Sequence, residues 1–257
     1  MSEIDSDLLL PGIKVHPRDL TPHVMVVGDP NRVREAARFL SDVKEVGNNR
    51  EYLTVTGEYG GRRLTVVSHG VGAGGANVCF MELLRGGAKV LIRAGTCGAL
   101  AEDIEDGEFI ITTGAVREDA ATEQLMPLPY PAIADRHVVE ALLASARANG
   151  HSKPRVGLAI TAANLYATPV VPAGWTKYVG YGVLAIEMEL AALLVLARMN
   201  GARAGGILTS DGNLVRKSAT DISNYDPHRE VVEQGKQTML KVALEALAHL
   251  AGNELPD

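Results

Sequence analysis

Cysteine is scarce in this chain: Cys79 and Cys97 are the only two in 257 residues. A disulfide scaffold and a zinc site built on four thiolates are therefore excluded, and a reducing compartment is the simplest setting. Basic residues are in the minority, with 25 Lys and Arg against 31 Asp and Glu, for a formal charge of −6. Broad nucleic-acid binding normally shows the opposite balance. Residues 1–7 are acidic and lack the basic start of a signal peptide. The longest uncharged stretch, 156–175, has the length of a membrane helix. Thr161, Asn164, Thr168, Pro169 and Pro172 interrupt it, so it reads as a buried strand followed by a loop. There is no fixed-period repeat, no low-complexity run and no linker rich in Ser, Gly and Pro. The expectation is a soluble, cytoplasmic protein.

Apolar residues make up 46% of the chain and charged residues 22%, which places it among globular proteins and not disordered ones. The length suffices for one large α/β core. Apolar runs of β type at 24–27, 52–59, 64–68, 90–94, 109–116, 156–161 and 204–210 alternate with helical patterns at 30–40, 74–85, 137–149, 189–200 and 230–250. Gly60-Gly61 marks a hairpin turn, and Gly150 and Gly201 end helices. This alternation predicts an α/β fold: a single layered domain over 1–257, with a central mixed β-sheet flanked by helices. In such sheets ligands bind at the carboxyl ends of the strands.

Four predicted strands end in groups suited to an anion or a polyol. They run into Gly28-Asp29-Pro30-Asn31-Arg32, His69-Gly70-Val71-Gly72-Ala73-Gly74-Gly75, Arg93-Ala94-Gly95-Thr96-Cys97-Gly98 and Asp211-Gly212-Asn213. Glycines let backbone N–H groups approach an anion, helix N-termini favour negative charge, and Arg32 and Arg93 offer bidentate forks. Gly70, Gly72 and Gly75 also fit G-x-G-x-x-G, which raises an NADP-dependent dehydrogenase as an alternative. The usual acid after the next strand is replaced by Arg93 and Ala94. Gly74 and Gly75 also admit a plainer reading as residues that allow close helix–strand packing. Arg93 follows the apolar run Val90-Leu91-Ile92, a poor place for a solvated charge.

Seven segments, taken in order, resemble the nucleoside phosphorylase family of hexameric purine nucleoside phosphorylases and uridine phosphorylases. They are Val26-Val27-Gly28-Asp29-Pro30-x-Arg32-Val33, Asn49-Arg50-Glu51-Tyr52, Ser68-His69-Gly70-Val71-Gly72, Ile92-Arg93-Ala94-Gly95-Thr96-Cys97-Gly98, Val116-Arg117-Glu118-Asp119, Ile186-Glu187-Met188-Glu189 and Gly206-Ile207-Leu208-x-x-Asp211-Gly212. The resemblance is closest to the purine-cleaving branch. It implies reversible phosphorolysis of a purine nucleoside to free base and ribose 1-phosphate, through a transition state with positive charge on the sugar and negative charge moving to the base. Inorganic phosphate is the co-substrate; no cofactor and no catalytic metal are expected. Phosphate then falls to Gly28, Arg32, Arg93 and Thr96, with Arg50 reaching across from a neighbouring subunit of a homo-oligomer, a hexamer built as a trimer of dimers. The sugar falls to Glu189, an acceptor for two vicinal hydroxyls, with Met188 on its face and Glu187 as a secondary contact. Tyr166 stacks on the base, and Asp211 is the catalytic acid at N7. A free Asp has a pKa near about 3.9, so an acid role needs burial or a bound anion.

Plainer readings stand beside these. Glu187 and Glu189 would also favour the start of the following helix through its dipole. Asp211-Gly212 is a common turn pair. A single Arg is most often half of a surface salt bridge.

The chain departs from the family pattern in three places. Residues 167–172 lack the Gln-x-Arg pair by which pyrimidine-cleaving members read uracil, which favours purines. The family's N-terminal histidine, which reaches the sugar 5′-hydroxyl, aligns with Gly12, and His16 is offset; a small residue there would admit a bulkier 5′ substituent. Residues 214–228 are polar, with Arg216 and Lys217, and read as a flap over the base. Uridine phosphorolysis, a nucleosidase using water, and a non-catalytic nucleoside sensor remain as alternatives.

Overall fold

The computed structural model describes residues 6–166, 174–216, 226 and 228–253. Its strands are β1 (His23–Val27), β2 (Ser41–Asn49), β3 (Tyr52–Tyr59), β4 (Arg62–Ser68), β5 (Val90–Ala99), β6 (Phe109–Glu118), β7 (Ala132–Ile133), β8 (Arg155–Ala162), β9 (Val183–Glu187) and β10 (Arg203–Asn213). The helices are α1 (Pro30–Ala37), α2 (Ala73–Arg85), α3 (Arg136–Ala148), α4 (Leu190–Met199) and α5 (Glu230–Gly252). The strands form one mixed sheet in the order β10-β6-β8-β9-β5-β1-β4-β3-β2, with β7 on the far edge of β6. Strand β10 also pairs with β5, so β5, β10, β6, β8 and β9 close into a ring. The expected α/β class and central mixed sheet are observed; the ring is a feature that alternation along the chain does not reveal.

Strand periodicity explains how both faces are covered. In β1, Val24 and Val26 join the core beneath α2 and α4, while Met25 and Val27 join the core beneath α1, α3 and α5. Strand β5 does the same, with Leu91 and Cys97 on one side and Val90, Ile92 and Ala94 on the other. Helix α4 is apolar all round, and each residue from 190 to 197 is buried, as a helix between sheet and helix must be. A third, smaller cluster of Leu100, Ile160, Ala162, Val183 and Ile186 lies along the β5, β8 and β9 side of the ring.

Three expectations need correction. Strand β5 runs on to Ala99, so Arg93 to Gly98 lie within a strand and not in a loop after it. Strands β2 and β9 add to the predicted set. Strand β8 is buried only in its second half, because Val156 and Leu158 are exposed on one face. Among the described residues no helix is long and apolar enough to cross a membrane. Both cysteines are buried free thiols.

Candidate active site

Four parallel neighbours, β4, β1, β5 and β10, point their carboxyl ends the same way. The ladder continues past the strand ends: the His69 amide donates to the Val27 carbonyl at 2.9 Å, and the Gly70 amide to the Gly28 carbonyl at 3.0 Å. Three helices begin here. Asp29 caps α1 by accepting from the Asn31 amide at 2.8 Å, with Pro30 in its first turn. Gly72 stands before α2 at φ +89°, a conformation other residues rarely adopt, and its amide donates to Glu189 Oε1 at 2.5 Å. Glu189 itself precedes α4. Three helix N-termini therefore meet at the ends of four strands, a setting that favours negative charge.

Arg93 is the centre of the arrangement. It is buried in β5 and bonded on three sides: Nε to Glu187 Oε2 at 2.8 Å, Nη2 to Glu189 Oε2 at 2.5 Å, and Nη1 to His69 Nε2 at 3.0 Å. Burial alone would lower the guanidinium pKa, but Glu189 and Glu187 outweigh it and hold it above the ordinary arginine value. The side chain lies back along its own strand, over Gly95. A Cβ on Gly95 would stand 2.9 Å from the guanidinium carbon and both terminal nitrogens, so only glycine leaves room. Two N–H groups of the fork remain after these bonds, because a guanidinium carries five.

The two carboxylates are not equivalent. Glu187 Oε2 accepts from Arg93 Nε and from the amides of Glu189 and Leu190, each at 2.8 Å, while Oε1 takes the Thr161 hydroxyl at 2.5 Å. The helix-start reading therefore describes Glu187 well. Glu189 takes the Gly72 amide on one oxygen and Arg93 on the other, with the Met188 amide also close, and a carboxylate with about four acceptor sites keeps capacity beyond these. Burial holds its pKa above the usual carboxylate range, against the pull of Arg93. Met188, between them, is half-buried.

Arg32 is the contrasting cation. It sits in the first turn of α1, half-buried, and its guanidinium forms no hydrogen bond or ion pair among the described residues. Burial and the nearby charge of Arg93 both lower its pKa, while Glu35, Asp29 and, more weakly, Asp211 act on it in the opposite sense. Asp211 thus shares a neighbourhood with Arg32 and Arg93. It is buried at the break in register between β10 and β5, where Ser210 pairs with Cys97 and Gly212 with Gly98, so it belongs to a bulged strand and not to a turn. Its charge also reaches Cys97, whose thiol is pushed well up by burial first, then by Asp211 and Glu187. Arg229 holds the Asp211 carbonyl at 2.9 Å. Thr96 is half-buried on β5 and pairs in register with Thr209.

Other expected residues lie apart from this node. Arg50 is exposed, at φ +54° in the turn between β2 and β3, and is not among the groups bonded to Arg93. Tyr166 is 58% exposed beyond the end of β8. The loop 167–172 lies outside the described residues, as does most of 214–228. Within the latter, Leu214 packs over Gly98, and Arg216 bonds Glu105 at 2.6 Å. Gly12 has a local reason to be glycine: a Cβ there would meet Val78 at 2.8 Å and Glu82 at 2.9 Å, and its amide donates to Glu82. Gly74 has open space around it, and Gly75 only ordinary contacts, so the close-packing explanation fails for both. The Gly72 amide, which a dinucleotide pyrophosphate would need, is already taken by Glu189.

Three contributors were not anticipated as site residues. His69 and Gly72 stand inside a motif that was recognised, and Thr161 lies at the end of an expected strand. A separate cavity of about 200 Å³, lined by Tyr130, Ile133, Leu194 and Arg198 among others, opens towards the amino end of β10, away from Asp211.

Comparison with known proteins places the whole chain. Purine nucleoside phosphorylase of Plasmodium falciparum (isolate 3D7) is 36% identical over 95% of this chain and 98% of that relative. Uridine phosphorylase of Treponema pallidum (strain Nichols) is 31% identical over 93% of each. The crystal structure of purine nucleoside phosphorylase from Toxoplasma gondii, in complex with immucillin-H, superposes with a TM-score of 0.90 at 32% identity, covering 98% of this chain and 99% of that one. Residues 22–248 match the family model described as the phosphorylase superfamily, and the chain belongs to that family, which takes in the purine nucleoside and uridine phosphorylases.

Proposed function

We propose that the protein is a pentosyltransferase, a purine nucleoside phosphorylase that reversibly converts a purine nucleoside and inorganic phosphate to free base and ribose 1-phosphate. The observation that carries this reading is the juxtaposition of Arg32, Arg93, Glu189 and Asp211 at the ends of four parallel strands. Each serves a different part of the same transition state. Phosphate lies between Arg32 and the two spare N–H groups of Arg93, with the Gly28 amide and the Thr96 hydroxyl completing its shell. Glu189 accepts from the two vicinal ribose hydroxyls, and its negative charge favours the oxocarbenium-like sugar. Met188 packs on the ring. Asp211 hydrogen-bonds N7 and passes it a proton gained as the complex forms. Tyr166 stacks on the base.

Purine is preferred to uracil on two grounds: Asp211 suits a purine N7, and 167–172 holds no Gln-x-Arg pair. Val71, 81% exposed beside Gly72, offers an apolar side chain at the mouth of the site among the described residues. An exposed apolar side chain there fits a homo-oligomer, in the family manner a hexamer, in which Arg50 of a neighbouring copy joins the phosphate shell. Purine salvage in the cytoplasm is the matching role. The test is base release from inosine, guanosine, adenosine and uridine, with and without phosphate. Release that needs phosphate and favours a purine is expected. Phosphate-independent release would point to a nucleosidase, and preference for uridine to the pyrimidine branch.

A further inference from the structure

We propose that His69 is a positioning residue that sets the fork of Arg93 towards the phosphate. This rests on the phosphorylase reading and goes beyond it, because His69 touches no substrate: its side chain is fully buried. Its ring makes two polar contacts. Nε2 lies 3.0 Å from Arg93 Nη1, and Nδ1 lies 2.8 Å from the Gly70 carbonyl. Arginine only donates, so Nε2 must accept; Nδ1 then carries the proton and donates to Gly70. One neutral tautomer satisfies both contacts, and an imidazolium satisfies neither Arg93 nor its charge. Phe80 of α2 meets the ring edge-on at 5.1 Å between centroids, which fixes its plane.

The consequence for Arg93 follows from its donor count. Glu187 takes the Nε proton and Glu189 one proton of Nη2, which restrains one edge of the fork. The opposite corner, Nη1, is restrained by His69 alone among the described residues. Without it the guanidinium is free to swing about the carboxylate edge, and the direction of its spare N–H groups is lost. The second contact orients the ring: Nδ1 is held by the carbonyl of Gly70, whose own amide bonds the Gly28 carbonyl in the loop after β1.

Two substitutions separate this from a packing role. His69→Phe keeps a ring against Phe80 and removes both polar contacts; His69→Gln keeps an acceptor near the place of Nε2. With inorganic phosphate as titrant, we expect Kd to rise roughly tenfold in H69F and no more than about threefold in H69Q, the scale of one lost charge-assisted bond. KM for phosphate should rise by more than KM for inosine. Nitrogen NMR of the ring should show the Nδ1–H tautomer throughout. Folded H69F that binds phosphate within about twofold of the unaltered protein would overturn the proposal, and so would equal losses in H69F and H69Q or a ring that becomes doubly protonated near neutral pH. The function itself fails differently: the unaltered protein would then release no base from inosine in the presence of phosphate.

Discussion

Arginine meets carboxylate in two very different regions of this protein. At the floor of the site, Arg93 lies between Glu187 and Glu189 with side chains 4%, 1% and 6% exposed. At the rim, Arg155 pairs with Asp103 at 2.7 Å and Arg216 with Glu105 at 2.6 Å, but these carboxylates are 70% and 68% exposed. Distances alone do not separate the two regions. Desolvation does: the floor charges have surrendered their water and depend on one another, whereas the rim charges keep theirs. Arg32 lies between these extremes: it is half-buried, and among the described residues it has no ion pair, although Glu35, Asp29 and Asp211 lie near enough to act on its charge. On the proposed function, Arg32 is the cation with charge to spare for phosphate, while Arg93 joins the phosphate's place to the sugar's.

The largest effect should come from breaking the floor. Removing one member of a buried ion pair strands the other, at a cost of about 3–5 kcal/mol. Arg93→Ala strands two carboxylates and should lose at least that much stability in denaturant unfolding, together with phosphate-dependent turnover. Arg32→Ala is the control. It should cost far less stability, since among the described residues no hydrogen bond or ion pair goes with it and the repulsion by Arg93 offsets the pull of Glu35, Asp29 and Asp211, and it should lose phosphate affinity. A stable Arg93→Ala, or an Arg32→Ala that unfolds, would abolish the distinction between the two cations.

Asp211→Ala should come next. On the proposed role it removes one preorganised donor to the leaving base, worth roughly 3 kcal/mol of transition-state stabilisation, or somewhat more than a hundredfold in kcat. Near-normal turnover of inosine by this variant would remove it from the chemistry.

Much of this was legible in the sequence, for reasons that differ from part to part. The strands of the central sheet announce themselves because both of their faces are buried, as in Val24–Val27, and the helices because each turns one face inward. Strand β2 was not legible: its residues Ser41, Asp42, Lys44 and Glu45 are exposed, so no apolar alternation marks it. Strand β5 was cut short because Gly95 and Gly98 resemble loop punctuation; Gly95 is in fact the space into which Arg93 folds back. The residues of the node were found by resemblance and not by spacing, since Arg93 meets Glu187 and Glu189 from 94 and 96 positions away. His69 was inside a recognised motif, but a histidine after a strand says nothing of its partners until the fold supplies them.

A smaller effect should appear in the pH dependence of stability. Burial, then Arg93, holds the His69 pKa well below its ordinary 6.5. Between the lowered value and 6.5 the unfolded chain binds a proton that the folded chain refuses. Stability therefore rises with pH through that window and is lost as pH falls below about 6.5, with a slope of at most about 1.4 kcal/mol per pH unit for one group. His23 contributes in the same sense through its own burial, so the quantity to measure is the difference between the unaltered protein and His69→Gln. The slope between pH 5 and 6.5 should be shallower in the variant. Identical slopes would show that the imidazole is not held neutral by the floor.

The smallest effect belongs to the rim. Hydrogen bonding to Arg155 lowers the Asp103 pKa, yet the carboxylate remains in water, where attraction is screened and the ordering of two long side chains offsets it. Asp103→Asn should therefore leave Tm unchanged within error, at low and at high salt, and leave the phosphate dependence untouched. Arg229 is the informative exception at this edge, because its three nitrogens bond Asp106, the Asp211 carbonyl and the Asp226 carbonyl. If Asp103→Asn proved as costly as a change at the floor, burial would not be what separates the two regions, and the worth of Arg93 would have to be sought in its geometry alone.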